Sequence, residues 1–226
     1  MPLARIADTI LFFVHIPKTG GSSIEAYMRA KGTVALCGAR RGWSRVSPQH
    51  LHRDLYAELV PASFYDRAFA VLRDPKARLM SEFRMQVEAV RPRPRPVSWL
   101  LGAGRRAAGR RLHPIRAGGG VEYLDFDAWA GKILRAYRRN PYLKDNHIRP
   151  QAEYVEPGQT LFAFEHGLDP VFRWIDAVTQ TPAADGTFHE KRGSRIELSC
   201  SAETEDLIRD FYRDDYALIA SLEPVP

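Results

Sequence analysis

A lysine, a threonine, two glycines and two serines stand together in HIPKTGGSS, residues His15 to Ser23. Gly20 and Gly21 let a backbone approach a ligand closely or take positive φ, and Lys18 adds a full positive charge. The run after them, Ser23 to Lys31, reads as a helix closed by Gly32, with Ser22 or Ser23 as N-cap. The unpaired N–H groups of that helix's first turn would face the same space as Lys18. Such a loop suits an anion, and a phosphate-like group best. It is not the Walker pattern, which places its lysine after the second glycine, whereas Lys18 precedes both. A strand–helix turn that is glycine-rich for geometric reasons alone is the competing reading.

A second group lies in VLRDPKARLMSEF, residues Val71 to Phe83. Arg73 stands at a strand end, Pro75 suits a first helical turn, and Ser81 follows two turns into the helix. Arginine can grip a phosphate bidentately, although Arg73 could equally pair with Asp74 or Glu82. The chain has seven histidines, at 15, 50, 52, 113, 147, 166 and 189, any of which could handle a proton near neutrality. His50 and His52, in SPQHLHRDLYAEL, are two apart, so an extended segment would turn both to one side. His15 reads as orienting the glycine loop, and Glu165 and His166 as supporting a strand end. His50-x-His52 lacks a convincing partner pair for a metal, so the sequence predicts no metal site.

The elements that must position these groups share a design. Thr9–Val14, Ala68–Leu72 and Thr160–Phe164 are short apolar runs that read as buried strands, each followed by polar residues and a helical pattern. The helices are expected at Ser23–Lys31, Lys76–Val90 and Asp169–Val178, with others at Asp54–Leu59, Leu124–Arg139 and Ala202–Tyr212. Asp125 or Asp127 is placed to cap the Leu124–Arg139 helix, whose apolar face (Phe126, Trp129, Ile133, Leu134) reads as core. This alternation predicts an α/β fold, a central parallel sheet flanked by helices. Ligands of such sheets sit beyond the carboxyl ends of the strands, so the polar residues there should converge.

At 226 residues the chain is expected to be a single domain, interrupted by an insert at about 91–120. That insert holds eight arginines and no acid or lysine; removing their charges from the formal +6 leaves −2, so the basicity is local. It is rich in Pro and Gly and reads as an extended excursion with a short helix around Trp99 to Leu101. As a solvated loop it needs no function; as an attractor it would suit an anionic partner. Few aromatics accompany the arginines, which argues against nucleic acid. Cys37 and Cys200 make no disulfide framework, and the expected setting is reducing and cytoplasmic. No apolar run approaches the length of a membrane span.

HIPKTGGSS followed by VLRDPKARLMSEF closely resembles the sulfotransferase superfamily, nearest to the branch of carbohydrate and heparan-type O-sulfotransferases and their bacterial relatives. Asp145 to Gln151 (DNHIRPQ) is similar to a third family segment, DNHxxPQ. The resemblance runs from about Thr9 to Tyr216 and implies a nucleotide-kinase-like core with 3′-phosphoadenosine 5′-phosphosulfate as donor and no metal. It implies that Pro17, Lys18, Thr19, Gly20, Gly21, Ser22 and Ser23 hold the 5′-phosphosulfate, with Lys18 also catalytic. Arg73 and Ser81 would hold the 3′-phosphate, and Arg192, Ser194 and Arg195 are further cofactor contacts on a loop that would close over the nucleotide. His50, with His52 as fallback, would be the general base, and His147 and Gln151 would meet the acceptor, a saccharide or similar polar molecule. The residues leave two alternatives: a P-loop-type nucleotide kinase or phosphotransferase, and a non-catalytic polyanion or nucleic-acid binder acting through the arginine insert.

Overall fold

The computed structural model describes residues 1–38, 42, 44–90, 106–107, 110–117, 120–188 and 196–222. A five-stranded sheet has β1 (Leu3–Ile6), β2 (Thr9–Val14), β3 (Thr33–Ala35), β4 (Arg67–Leu72) and β9 (Thr160–Ala163) in the order β3-β1-β2-β4-β9. The three strands read from the sequence, β2, β4 and β9, are its parallel half. The two missed strands, β1 and β3, pair antiparallel at one edge.

Every second side chain of a strand faces the same side, and the parallel strands are apolar on both sides because helices cover both. Leu11, Phe13, Phe69 and Val71 pack with Ile24 and Tyr27 of helix α1 (Gly21–Lys31) and with Val171 and Ile175 of α5 (Asp169–Thr179). Phe12, Val14, Ala70 and Leu72 face the other way, onto Tyr56 of α2 (Arg53–Leu59) and Tyr154. A third core joins α3 (Pro75–Val90), α4 (Phe126–Tyr137) and α6 (Ala202–Phe211) through Phe83, Trp129 and Ile208, and α7 (Arg213–Ala220) closes the chain. Among the described residues no helix is long and apolar enough to cross a membrane.

Three expectations need correction. Helix α1 starts at Gly21 with Gly20 as its N-cap, so neither Ser22 nor Ser23 caps it. Leu124 ends a strand, and Asp125 is the cap of α4, accepting from Ala128 N at 2.8 Å. The latter part of the arginine-rich segment is not an irregular excursion. Strands β5 (Arg106–Ala107) and β6 (Arg110–Arg111) pair with each other, and β7 (His113–Ala117) pairs with β8 (Gly120–Leu124). The second hairpin packs on α3 through Ile115 and through His113, whose ring meets Phe83 edge-on. Trp99 to Leu101 lie outside the described residues, as do Arg192, Ser194 and Arg195.

Phe69 anchors the first core, stacked on Phe13 at 4.9 Å between ring centroids and touching the rings of Phe162 and Trp174. Phe69→Ala should lower unfolding free energy by about 3–5 kcal/mol in urea titrations. A loss under about 1 kcal/mol would mean that this face is not close-packed.

Candidate active site

The loops after β2 and β4 meet at the carboxyl ends of the parallel strands. In the first loop Lys18 and Gly20 take φ of 71° and 88°, which turns the chain sharply into α1. Thr19 is fully buried and its hydroxyl donates to Ile16 O at 2.8 Å, closing the loop from within. The imidazole of His15 lies flat against Gly21: a Cβ on Gly21 would stand 1.9 Å from His15 Nε2, so only glycine fits. His15 Nδ1 is held in turn by Glu25 Oε1 at 2.8 Å, one turn into α1. The loop therefore presents the start of a helix, whose first N–H groups have no carbonyl four residues back, beside the lysine.

Arg73 locks the second loop to the first. Its Nη1 donates to Lys18 O at 3.0 Å, and its guanidinium lies 4.4 Å from the Phe164 ring centroid. The Gln151 side chain brackets its backbone, accepting from Arg73 N at 3.0 Å and donating to Arg73 O at 2.7 Å. Arg73 makes no carboxylate ion pair among the described residues: Asp74 caps Ala77 N, and Glu82 pairs with His147. Arg73 Nε is buried with no hydrogen-bond partner among the described residues. A buried, desolvated donor on a cation fits an anionic group, since leaving it unmatched is costly. Ser81 sits partly buried on α3, next to Glu82.

Three imidazoles follow one another edge to face, His15 to His50 and His50 to His147, each pair 4.9 Å between centroids. Each has a carboxylate on Nδ1: Glu25 for His15, Asp145 Oδ2 at 2.8 Å for His50, and Glu82 Oε2 at 2.6 Å for His147. Nδ1 therefore carries the proton and Nε2 the lone pair. Burial, with smaller effects from His15 and His147, pushes the His50 pKa down to about 3 despite Asp145. Burial works against the Glu82 carboxylate, yet His147, Gln86 and Lys18 together hold its pKa at about 2. Burial likewise opposes the charge on Asp145, while hydrogen bonds from His50 and Ser47 hold it at about 2. Lys18 Nζ reaches Met85 Sδ at 3.4 Å on the same helix as Glu82, which places the loop lysine beside the His147 pair.

His52 has different surroundings. The 3-10 turn Pro48–His50 breaks the extended geometry, and His52 becomes the buried first residue before α2, its Nδ1 3.4 Å from Asn146 Nδ2 and its ring 5.9 Å from that of Tyr142. Burial, aided by Arg149, lowers its pKa to about 4. Gln151 is fully buried on the Arg73 backbone, and His147 is the less enclosed of the two residues expected at the acceptor. His166 lies exposed, and Glu165 accepts from Asp74 N at 2.8 Å.

The sequence does not announce the histidine contacts of Asp145, Ser47, Glu82 and Glu25, nor the role of Arg78. Asp145 lies two residues before His147, Ser47 three before His50, and Glu82 next to Ser81, so polar residues flanking each motif are the signal that points to them. Arg78 is 1 % exposed and donates to His147 O and Arg149 O, a use of an arginine that no local pattern announces.

The buried histidines give stability a definite pH dependence. In the unfolded chain His50 and His52 take protons at about pH 6.5, whereas in the fold they stay neutral far below that. The unfolded state thus binds more protons, and stability falls as pH drops from about 6.5 towards 4, by at most about 1.4 kcal/mol per pH unit for each histidine. Urea midpoints should decline steadily over that window; constant midpoints would show that these imidazoles titrate normally in the fold.

The family model described as "Sulfotransferase family" matches residues 6–218, which takes in the glycine loop, the Arg73 loop and the 145–151 segment. No curated protein and no solved structure matches the chain significantly. With the match spanning nearly the whole chain, the protein belongs to the sulfotransferase family.

Proposed function

We propose that the protein transfers the sulfuryl group of 3′-phosphoadenosine 5′-phosphosulfate to a hydroxyl of a saccharide or similarly polar acceptor, with His50 as the general base. The observation that carries this reading is the convergence of Lys18, Arg73 and a carboxylate-held imidazole at one end of the parallel sheet. The donor supplies an activated sulfuryl group whose transfer needs charge stabilisation and alignment more than covalent help. Backbone N–H groups at Gly20 and Gly21, with Ser22 and Ser23, suit its 5′-phosphate, and the Nε of Arg73 suits its 3′-phosphate. Lys18, held at positive φ beside the helix start, would neutralise charge growing on the leaving oxygen. Thr19 and Gln151 act behind these groups, one closing the loop and the other fixing the Arg73 backbone.

His50 is favoured over His52 because an orienting carboxylate fixes its tautomer, the logic of a catalytic triad. Its depressed pKa keeps it unprotonated at neutral pH, and Asp145 stands ready to stabilise the imidazolium as a proton arrives. His147, next along the row and more open, lies where an acceptor could reach both rings. The heparan-type branch and the carbohydrate acceptor rest on the three sequence motifs. A cytoplasmic setting is part of the same proposal, supported by two free cysteines. The phosphotransferase reading is disfavoured by the lysine preceding the glycines. The polyanion-binder reading would leave the oriented histidines without a use.

Replacing the base should separate chemistry from binding. His50→Gln should lower kcat by about 10²- to 10⁴-fold with little change in nucleotide affinity, and His52→Gln should cost far less. The opposite ranking, at equal folded stability, would move the base to His52. Lys18→Ala should also lower kcat more than it raises nucleotide Kd.

A further inference from the structure

We propose that His50, Asp145 and His147 form a binding site for a divalent transition-metal ion of the Zn²⁺ class, and that the ion, when bound, holds His50 in a tautomer unable to accept a proton. One ligand atom from each of the three lies within 4.8 Å of the other two. In a tetrahedral zinc site with bonds of about 2.0–2.1 Å, ligand atoms stand about 3.3 Å apart. His50 Nδ1 and Asp145 Oδ2 are already 2.8 Å apart, so closing the set takes side-chain shifts that shorten its longest spacing by at most about 1.5 Å. Two imidazoles and one carboxylate, with a fourth position left to water, make a ligand set that suits this class of ion.

The groups behind the ligands are those a metal site needs. Glu82 takes His147 Nδ1 and turns Nε2 outward as the ligand atom. Ser47 holds both oxygens of Asp145, through N at 2.5 Å and Oγ at 2.6 Å. The backbone from Lys144 to Asn146 is left-handed, with φ of 53°, 58° and 64°, a costly conformation that aims the Asp145 carboxylate at His50. An entry path exists on the Asp145 side: its side chain is 33 % exposed, against 7 % for His50. Sequence spacing could not reveal the set, because His50 is brought to Asp145 across the fold.

Binding at His50 Nδ1 has a definite chemical consequence. The metal takes the Nδ1 lone pair, so the neutral ring must carry its proton on Nε2; one N–H bond breaks, another forms, and no net proton is lost. Nε2 is then a donor, and the acceptor hydroxyl loses its proton acceptor. The metal site itself does not depend on the sulfuryl-transfer reading; only this inhibitory consequence does.

The test uses the full chain freed of metal by a chelator. Zn²⁺ calorimetry should give one site, and Co²⁺ should give the visible absorption of a four-coordinate ion. Imidazole ¹⁵N spectra of the wild type with Zn²⁺ should show one histidine ligated through Nδ1 and another through Nε2. Asp145→Asn and His147→Gln should each weaken binding at least tenfold, while His166→Gln, on an exposed residue, should leave it unchanged. Zn²⁺ should also inhibit transfer reversibly, with chelator restoring it. Absence of stoichiometric binding, or spectra in which neither His50 nor His147 is ligated, would overturn the site. Binding with those ligands but without inhibition would overturn the tautomer consequence alone.

Discussion

The site hangs on the buried guanidinium of Arg78. From α3 it donates to the carbonyls of His147 and Arg149, with the ring of Tyr212 against it. These carbonyls match its two terminal nitrogens, while its Nε has no partner among the described residues. Losing either carbonyl would leave still more of a desolvated cation unmatched, so the segment from 145 to 151 is held against α3 by a contact that is expensive to break. Everything functional in that segment then follows. Asp145 reaches His50, Asn146 donates to His50 O, His147 reaches Glu82, and Gln151 brackets Arg73. One segment thus ties His50 to the loop that carries Arg73, and through Arg73 to the carbonyl of Lys18.

Several local costs are accepted around that contact. Three successive left-handed residues at 144–146 are each unfavourable by about 1–2 kcal/mol. Their return is placement: the carboxylate of Asp145 meets both Ser47 and His50, and the Tyr154 hydroxyl donates to Asn146 O. The carboxylates at Asp145 and Glu82 stay ionised in enclosed surroundings because each has an imidazole and further donors against it. The buried Nε of Arg73 has no matching acceptor among the described residues, as is also true of Arg78 Nε, Gln86 Oε1 and Asp215 Oδ2. Of these atoms, Arg73 Nε is the one on the residue that also contacts the glycine loop, so an anion held by that loop would match it.

The parallel half of the sheet and the helices around it were legible because each strand is an apolar run ended by polar residues. β1 and β3 were not: LARI is short and broken by arginine, and TVA has three residues. β1 takes its stability from pairing on β2, and β3 from pairing on β1, rather than from a pattern of their own. The β7–β8 hairpin was obscured by the arginines and glycines around it, although its inward residues His113 and Ile115 alternate as a strand on α3 should. At the site, the glycine loop and Arg73 could be read locally because each is a short motif at a strand end. The partners that orient the histidines could not, since pairs such as His50 with Asp145 and His147 with Glu82 are made only by the fold.

The glycine loop and Arg73 are proposed to build one nucleotide site selective for a 3′-phosphate. Calorimetry of 3′-phosphoadenosine 5′-phosphate against AMP, with wild type and Arg73→Ala, tests it most directly. The 3′-phosphorylated nucleotide should bind wild type at least tenfold more tightly than AMP, about 1.4 kcal/mol, and Arg73→Ala should lose most of that preference. Equal affinity for both nucleotides in wild type, or a preference untouched by Arg73→Ala, would contradict it.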